Sequence, residues 1–267
     1  MDKFACVSSN MAKFLFLLVM LVAAVGSMSV SASDLSSSGA SPVLVELFTS
    51  EGCSSCPPAD RLLQDLDRQP VSGVQFIVLS EHVDYWNHIG WKDPFSSSFF
   101  SDRQSAYSDH FGLSGVYTPQ MVVDGNTEFV GSDSHRAAQA AEKARAQEKV
   151  PVHISAISWD GPHTLHAHIE AGQSGASKNA DVYVVVALNQ AASQVSAGEN
   201  SGRHLTHVAV VQSLTKVGSL EKGKSFAQDV RLALDPKTDP ANLRVIAFVQ
   251  ESGPGKVLGA ALEHVQK

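Results

Sequence analysis

The chain reads as an α/β domain followed by an all-β antiparallel sandwich. Three observations carry that reading. Up to about Glu148, apolar runs of strand length alternate with helical patterns. A close cysteine pair, Cys53-Ser54-Ser55-Cys56, stands where the first run gives way to the first helix. After Pro151 the apolar period falls to two, and Gly, Pro, Asn and Asp recur between short runs.

Residues 1–32 read as a secretory signal peptide. Lys3 and Lys13 supply positive charge, and Phe14 to Gly26 is an apolar run short for a bilayer span. Val30-Ser31-Ala32 then offers small residues for cleavage after Ala32. The expected location is secreted or periplasmic, with no stable membrane span; an uncleaved anchor is the alternative. Cys6 leaves with the leader. The two remaining cysteines would meet an oxidising compartment, where disulfides persist. One close pair in a chain this long is not a disulfide scaffold, so the core must carry stability and the pair is free for chemistry. The net charge of −7, from 20 basic and 27 acidic residues, argues against nucleic acid and anionic membrane surfaces as partners.

Residues 33–41 are a Ser-rich lead-in, and the first domain is expected over 42–149. Val43 to Phe48 is a strand, 57–68 a helix, and Val74 to Leu79 a buried strand. Residues 97–111 read as a helix with Phe100, Tyr107 and Phe111 on one face. Gln120 to Val123 and Glu128 to Val130 form a hairpin around Asp124-Gly125-Asn126. Ser132 or Ser134 caps an Ala-rich helix to about Gln147. Two parallel strands joined by a helix, then a Pro-led hairpin and a last helix, is the order of a thioredoxin-like domain, with 81–96 as an insertion. The second domain, 150–267, holds seven candidate strands: Val152 to Trp159, Thr164 to Glu170, Asp181 to Leu188, Leu205 to Leu214, Ser225 to Leu234, Leu243 to Gln250 and Lys256 to Leu262.

A Cys-x-x-Cys between a strand and a helix is the thioredoxin-type redox arrangement. Cys53 would sit exposed near the helix N-terminus, where the dipole stabilises a thiolate, and would attack. Cys56, one turn on, would be buried and resolve the mixed disulfide. Pro57 and Pro58 suit the first turn, where a missing N–H costs nothing. An inert disulfide or half of a metal site are the alternatives. A zinc site needs a second close Cys or His pair, which the sequence does not offer, so no metal or other cofactor is expected. Thr118 and Pro119, before a strand and a tight turn, are expected to share a cis peptide bond beside the cysteines and present a substrate backbone.

His82-Val83-Asp84-Tyr85-Trp86-Asn87-His88-Ile89-Gly90-Trp91 is the richest segment. It begins at the C-terminal edge of the sheet, where α/β ligand crevices form. His82, Asp84 and His88 would pass protons or hold an ion; Trp86 and Trp91 would frame a groove or simply form the insertion's core. His166 and His168, and likewise His204 and His207, read as solvated histidines, and Arg203 as a loop charge.

The run Val45-Glu46-Leu47-Phe48-Thr49-Ser50-Glu51-Gly52-Cys53-Ser54-Ser55-Cys56-Pro57-Pro58-Ala59-Asp60 resembles the signature of a family of secreted thioredoxin-like proteins catalogued only as a domain of unknown function. His82-Val83-Asp84-Tyr85-Trp86, Gly90-Trp91-Lys92-Asp93-Pro94-Phe95 and Val116-Tyr117-Thr118-Pro119-Gln120 match its other signatures. The resemblance spans essentially the whole mature chain. It implies a thioredoxin-like fold and export, and no assigned reaction. Ser54-Ser55 departs from the Gly-Pro of thioredoxin, so reductase strength does not carry over.

The leading expectation is an exported thiol–disulfide oxidoreductase with catalytic Cys53 and Cys56. Thr118, Pro119, His82, Asp84 and Trp86 would serve substrate binding. Protein thiols or disulfides and an unidentified redox partner are the expected partners. The alternative is a non-catalytic binding module in which the cysteine pair is a permanent staple.

Overall fold

In the computed structural model, which describes residues 39–68, 71–173 and 179–265, the run ending at Thr49 is a strand buried along almost its whole length, β1 (Ser41–Thr49). The expected leader, its Ala32 cleavage site and Cys6 lie outside the described residues. β1 runs parallel to β2 (Val74–His82), with Val45 opposite Val78 and Thr49 opposite His82. Helix α1 (Pro57–Arg68) makes the crossover between them. On its other side β1 pairs antiparallel with β3 (Gln120–Val123), which turns into β4 (Thr127–Val130). Helix α2 (Ser98–Phe111) starts at the side chain of Ser97 and stops at Gly112, whose φ of 67° is the left-handed turn that glycine permits. Helix α3 (Ser134–Arg145) is capped by Asp133, which accepts from the Arg136 N–H at 2.9 Å; neither Ser132 nor Ser134 is the cap.

Seven further strands follow: β5 (Val152–Trp159), β6 (Thr164–Ala171), β7 (Ala180–Gln194), β8 (His204–Leu220), β9 (Phe226–Ala233), β10 (Leu243–Glu251) and β11 (Val257–His264). Their positions agree with the strands read from the sequence. Their assembly does not. The expected thioredoxin-like α/β domain followed by a β-sandwich is corrected to a mostly stranded fold with three short α-helices among the described residues. Its centre is one mixed sheet of eight strands, ordered β11-β10-β7-β8-β2-β1-β3-β4. Strands from both halves of the chain share it, joined where β8 meets β2 in parallel at Ser80 and Val210. The other three strands, β5-β6-β9, form a separate antiparallel sheet.

The physical reason lies in two-sided burial. In β7 the stretch Ala180 to Leu188 is apolar almost throughout and buried at nearly every position, and β10 is buried from Leu243 to Gln250. Continuous apolar runs belong to strands covered on both faces, as in the middle of a layered sheet. β5, β6 and β9 keep much of the inside–outside alternation of a strand with one wet face.

The cores follow from this sheet. Ile154, Leu165, Ile169, Val230 and Leu232 of the small sheet pack on Val182, Val184, Val245 and Val249 of β7 and β10. Leu44, Phe48, Ile77 and Leu79 share a core with Val185, Val211, Ile246 and Phe248, under Phe100 and Tyr107 of α2. On the opposite face Leu47 and Val78 pack with Leu63 of α1, Ala137 and Ala140 of α3, and Val208 of β8. Two of these cores therefore draw on both halves of the chain.

Buried polar groups reinforce the joint. Arg103 of α2 donates from Nε to Glu46 of β1 at 2.7 Å and from Nη2 to Gln250 of β10 at 3.2 Å, and the Tyr107 hydroxyl donates to Glu46 at 2.6 Å. Burial and the neighbouring Glu46 charge push the Glu81 carboxyl well above the usual range despite Arg103. Arg244 of β10 grips Asp67 of α1 through two hydrogen bonds, at 2.7 and 3.1 Å.

The close approach of β11 to the end of the α/β half makes one residue size critical. A Cβ on Gly259 would lie 2.0 Å from the Val150 carbonyl oxygen. The Val150 N–H meanwhile donates to Leu258 at 2.7 Å, which fixes the backbone there. Gly259→Ala is expected to cost about 1–3 kcal/mol of stability, the usual range for overpacking, in urea unfolding. A change within roughly 0.5 kcal/mol, as at an ordinary surface site, would show that this segment yields freely.

Candidate functional site

β1 ends at Thr49, and the chain turns through Ser50, Glu51 and Gly52 into Cys53. The Cys53 N–H donates to Ser50 at 3.1 Å, and the Cys56 N–H to Cys53 at 3.2 Å. α1 begins directly after Cys56, whose carbonyl accepts from Ala59 and Asp60 at 2.8 and 3.0 Å. Cys53 and Cys56 form a disulfide with their Cα atoms 5.4 Å apart. The expectation of an exposed Cys53 is corrected: both cysteines are fully buried, while Ser54 and Ser55 between them are exposed.

Two segments pack against the cysteine loop. The first is the loop after β2. Trp86 lies against Gly52, where a Cβ would come within 3.0 Å of the Trp86 Cβ. The Trp86 indole N–H donates to the Thr118 hydroxyl at 2.8 Å. The second is the connection from β7 to β8, in the half of the chain expected to be separate. The Asn200 amide donates to the carbonyls of Glu51 at 2.8 Å and Cys53 at 2.9 Å. The Glu199 carboxylate accepts from the Ser54 N–H at 3.1 Å. The two segments meet at Gly90 and Gly198, where a Cβ on Gly90 would lie 3.4 Å from the Gly198 nitrogen.

The Thr118–Pro119 bond is cis. Pro119 reaches the neighbourhood of α1 through Gly131, where an added Cβ would lie 3.2 Å from both Pro119 and Ala59. Trp86, Thr118 and the cysteine loop thus come together. His82 lies behind the cysteine loop, and Asp84 points away to a helix. His82 is fully buried, with Nδ1 2.7 Å from Asp93 and its ring edge-on to His207 at 4.7 Å between centroids. Asp84 binds α2, accepting from the Ser101 hydroxyl at 2.6 Å. Trp91 donates to Glu51 at 2.8 Å, and His88 is exposed.

Behind the disulfide loop sits a cluster of buried charged groups that the sequence reading missed. His207 was expected in solvent, but it is buried, with Nε2 3.2 Å from Glu51 and Nδ1 3.8 Å from Asp60. The second distance exceeds a hydrogen bond and is an electrostatic contact. Burial works against a charged ring, but the two carboxylates outweigh it and raise His207 to about 10, so it is a cation at neutral pH. Asp60 also accepts from the Thr49 hydroxyl at 2.9 Å. Asp93 accepts from the Glu51 N–H at 2.8 Å. Burial would raise the Asp93 carboxyl, but His82 and the backbone N–H groups of Glu51 and Phe95 hold it below its usual value. Strand parity signals His207: Leu205, His207 and Ala209 lie on one face, so an inward Leu205 carries His207 inward too. No local pattern marks Asn200 or Glu199.

The remaining candidates lie apart. His166 is 3.2 Å from Asp160 and His168 is 2.6 Å from Asp229, both on the small sheet. His204 and Arg203 are exposed. Among the described residues, no group of three or more His, Cys, Asp or Glu is arranged to hold a metal ion, and no helix is long and apolar enough to cross a membrane.

The family described as "Protein of unknown function (DUF1223)" matches residues 44–250. The chain is similar to the crystal structure of protein AGR_C_4864 from Agrobacterium tumefaciens, at 27% identity and a TM-score of 0.68, covering 86% of this chain and 97% of that one. It shares its fold with HBP35 of Porphyromonas gingivalis, at 15% identity and a TM-score of 0.65, over 86% of this chain and 77% of that one. No curated protein matches the chain.

Proposed function

We propose, from the premise that the chain belongs to the family described as protein of unknown function (DUF1223), which carries no assigned reaction, that it is a thiol–disulfide oxidoreductase of an exported compartment. The observation that carries this is the disulfide itself: Cys53 and Cys56 bond to each other across two residues at the entrance of α1, without bridging distant elements. A partner thiolate would attack the Cys53 sulfur, the Cys53–Cys56 bond would break, and the electron pair would leave on the Cys56 sulfur, which takes a proton. The partner's second thiolate would then attack the partner sulfur of the mixed disulfide and release Cys53. Two electrons pass from partner dithiol to the pair, and the partner departs as a disulfide. The reverse steps reduce a partner disulfide.

In this reading Thr118 and Pro119 present the partner backbone, with Trp86 orienting Thr118 through its indole N–H. His82 and Asp84 are engaged by Asp93 and Ser101, and they reach a partner only if the loop moves. Protein thiols or disulfides, and a redox partner of the same chemistry, are the proposed partners.

One observation favours a second reading, a binding module with a permanent staple: both cysteines are fully buried. Exchange therefore requires the cysteine loop, or a segment packed against it, to move. Titration of the purified protein through glutathione buffers, with thiol alkylation as readout, separates the two. The pair is expected to pass between oxidised and reduced forms while circular dichroism stays native. A pair that is reduced only when the protein unfolds is a staple.

A further inference from the structure

The connection from β7 to β8 reaches the cysteine loop from a distant part of the chain, and it does so with unusual economy. Asn200 is fully buried, and its amide bridges the carbonyls on either side of Gly52. That connection is itself tied down: the Gly202 N–H donates to Val195 at 2.8 Å, and the Val195 N–H to Arg203 at 3.0 Å. Glu199 precedes Asn200, so anchoring Asn200 delivers the Glu199 carboxylate onto the N–H of Ser54, the peptide group bonded to Cys53.

That N–H matters to a thiolate. A sulfur anion at a helix entrance draws its stabilisation from nearby backbone N–H groups and from the positive end of the helix. Here Pro57 and Pro58 occupy the first two positions of α1 and carry no N–H. The Cys56 N–H is held by Cys53, and the Ser54 N–H by Glu199. Pro57 and Pro58 therefore offer no donor, those of Cys56 and Ser54 are engaged, and a negative charge stands beside them, with the Ser55 N–H the neighbour left to face Cys53. A Cys53 thiolate formed by reduction would face that charge.

We propose that Glu199, held in place by Asn200, is a positioning residue that disfavours the Cys53 thiolate and thereby makes the Cys53–Cys56 pair more reducing than its helix entrance alone would. This rests on the exchange reading above. The sign is fixed by linkage: whatever destabilises the reduced dithiol favours the disulfide, and a stabilised reduced form makes an oxidant. Glu199 is exposed, so its influence is that of a screened surface charge and must weaken with salt.

The test uses the full chain and its Glu199→Gln and Glu199→Asp variants, each equilibrated with reduced and oxidised glutathione and quenched by alkylation. The Cys53 thiol is titrated separately by thiolate absorbance. Glu199→Gln is expected to lower the Cys53 titration midpoint by roughly half a pH unit and, at a pH above that midpoint, to raise the equilibrium constant for reduction about threefold, the scale of one exposed charge. The effect should shrink in molar salt, and Glu199→Asp should restore most of the wild-type behaviour. A merely structural role would move unfolding and leave the midpoint and its salt dependence alone. If wild type titrates normally and Glu199→Gln titrates identically, the proposal is overturned while the exchange reading stands. If the folded wild-type pair never titrates, both fall.

Discussion

Cys56→Ser is expected to trap partner proteins as mixed disulfides through Cys53, and Cys53→Ser to trap none. The expected contrast is between readily visible adducts and background. Its basis is position. Cys56 is fixed as the residue whose carbonyl starts α1, accepting from both Ala59 and Asp60. Cys53 lies in the turn against which Trp86 and Asn200 pack, ahead of the helix. Removing Cys56 leaves the attacking sulfur without its resolving partner, so adducts persist. Removing Cys53 leaves a sulfur behind the loop. Non-reducing gels of exported proteins, followed by identification of the partners, make the measurement. Equal trapping by both variants would sink the assignment of roles.

The largest effect on stability is expected at His207. Its imidazolium faces Glu51 and Asp60, both buried, and its ring lies edge-on to His82, which is itself paired with Asp93. Replacing it by alanine strands two carboxylates in the interior. Breaking a buried ion pair from one side typically costs about 3–5 kcal/mol, and His207→Ala is expected to fall in that range in urea unfolding. The pH dependence has a definite sign. The His207 pKa is raised in the fold to about 10, against about 6.5 in an unfolded chain. The native state therefore holds the proton more tightly. The contribution is fully present below about pH 6.5 and drains away as pH rises through about 10. Subtracting the profile of His207→Gln from that of wild type isolates it. A difference that stays flat across that window would mean the ring is neutral in the fold.

Element by element, the sequence is a good guide here, because local periodicity and punctuation dominate. Pro57, Gly112 and Asp124-Gly125 mark their boundaries, and the helices fall where the apolar spacing puts them. Topology is not legible in the same way. Val182 to Leu188 and Leu243 to Val249 contain enough alternation to pass for sandwich strands, yet their near-continuous apolar character signals burial on both faces. What no local pattern encodes is the partner. The pairing of Ser80 with Val210 spans about half of the chain and depends on which edge is left open after β1, β2 and β3 assemble. The site divides the same way. The cysteines, Thr118, Pro119 and Trp86 lie in recognisable motifs. Asn200 and Glu199 sit in an ordinary polar loop, and only the three-dimensional fold brings them to Cys53.

That separation has a temporal side. The amide that pins the Cys53 carbonyl comes from a residue 147 positions further along. A chain is made from its N-terminus, so both sulfurs leave the ribosome well before Asn200 exists. Local elements such as a helix form in microseconds or less, whereas synthesis adds about 5–20 residues each second. For many seconds, then, the nascent pair stands uncovered, open to whatever oxidant or thiol it meets. The loop bearing Glu199 and Asn200 arrives later, ahead of β8 to β11, and packs onto a pair that has already stood open.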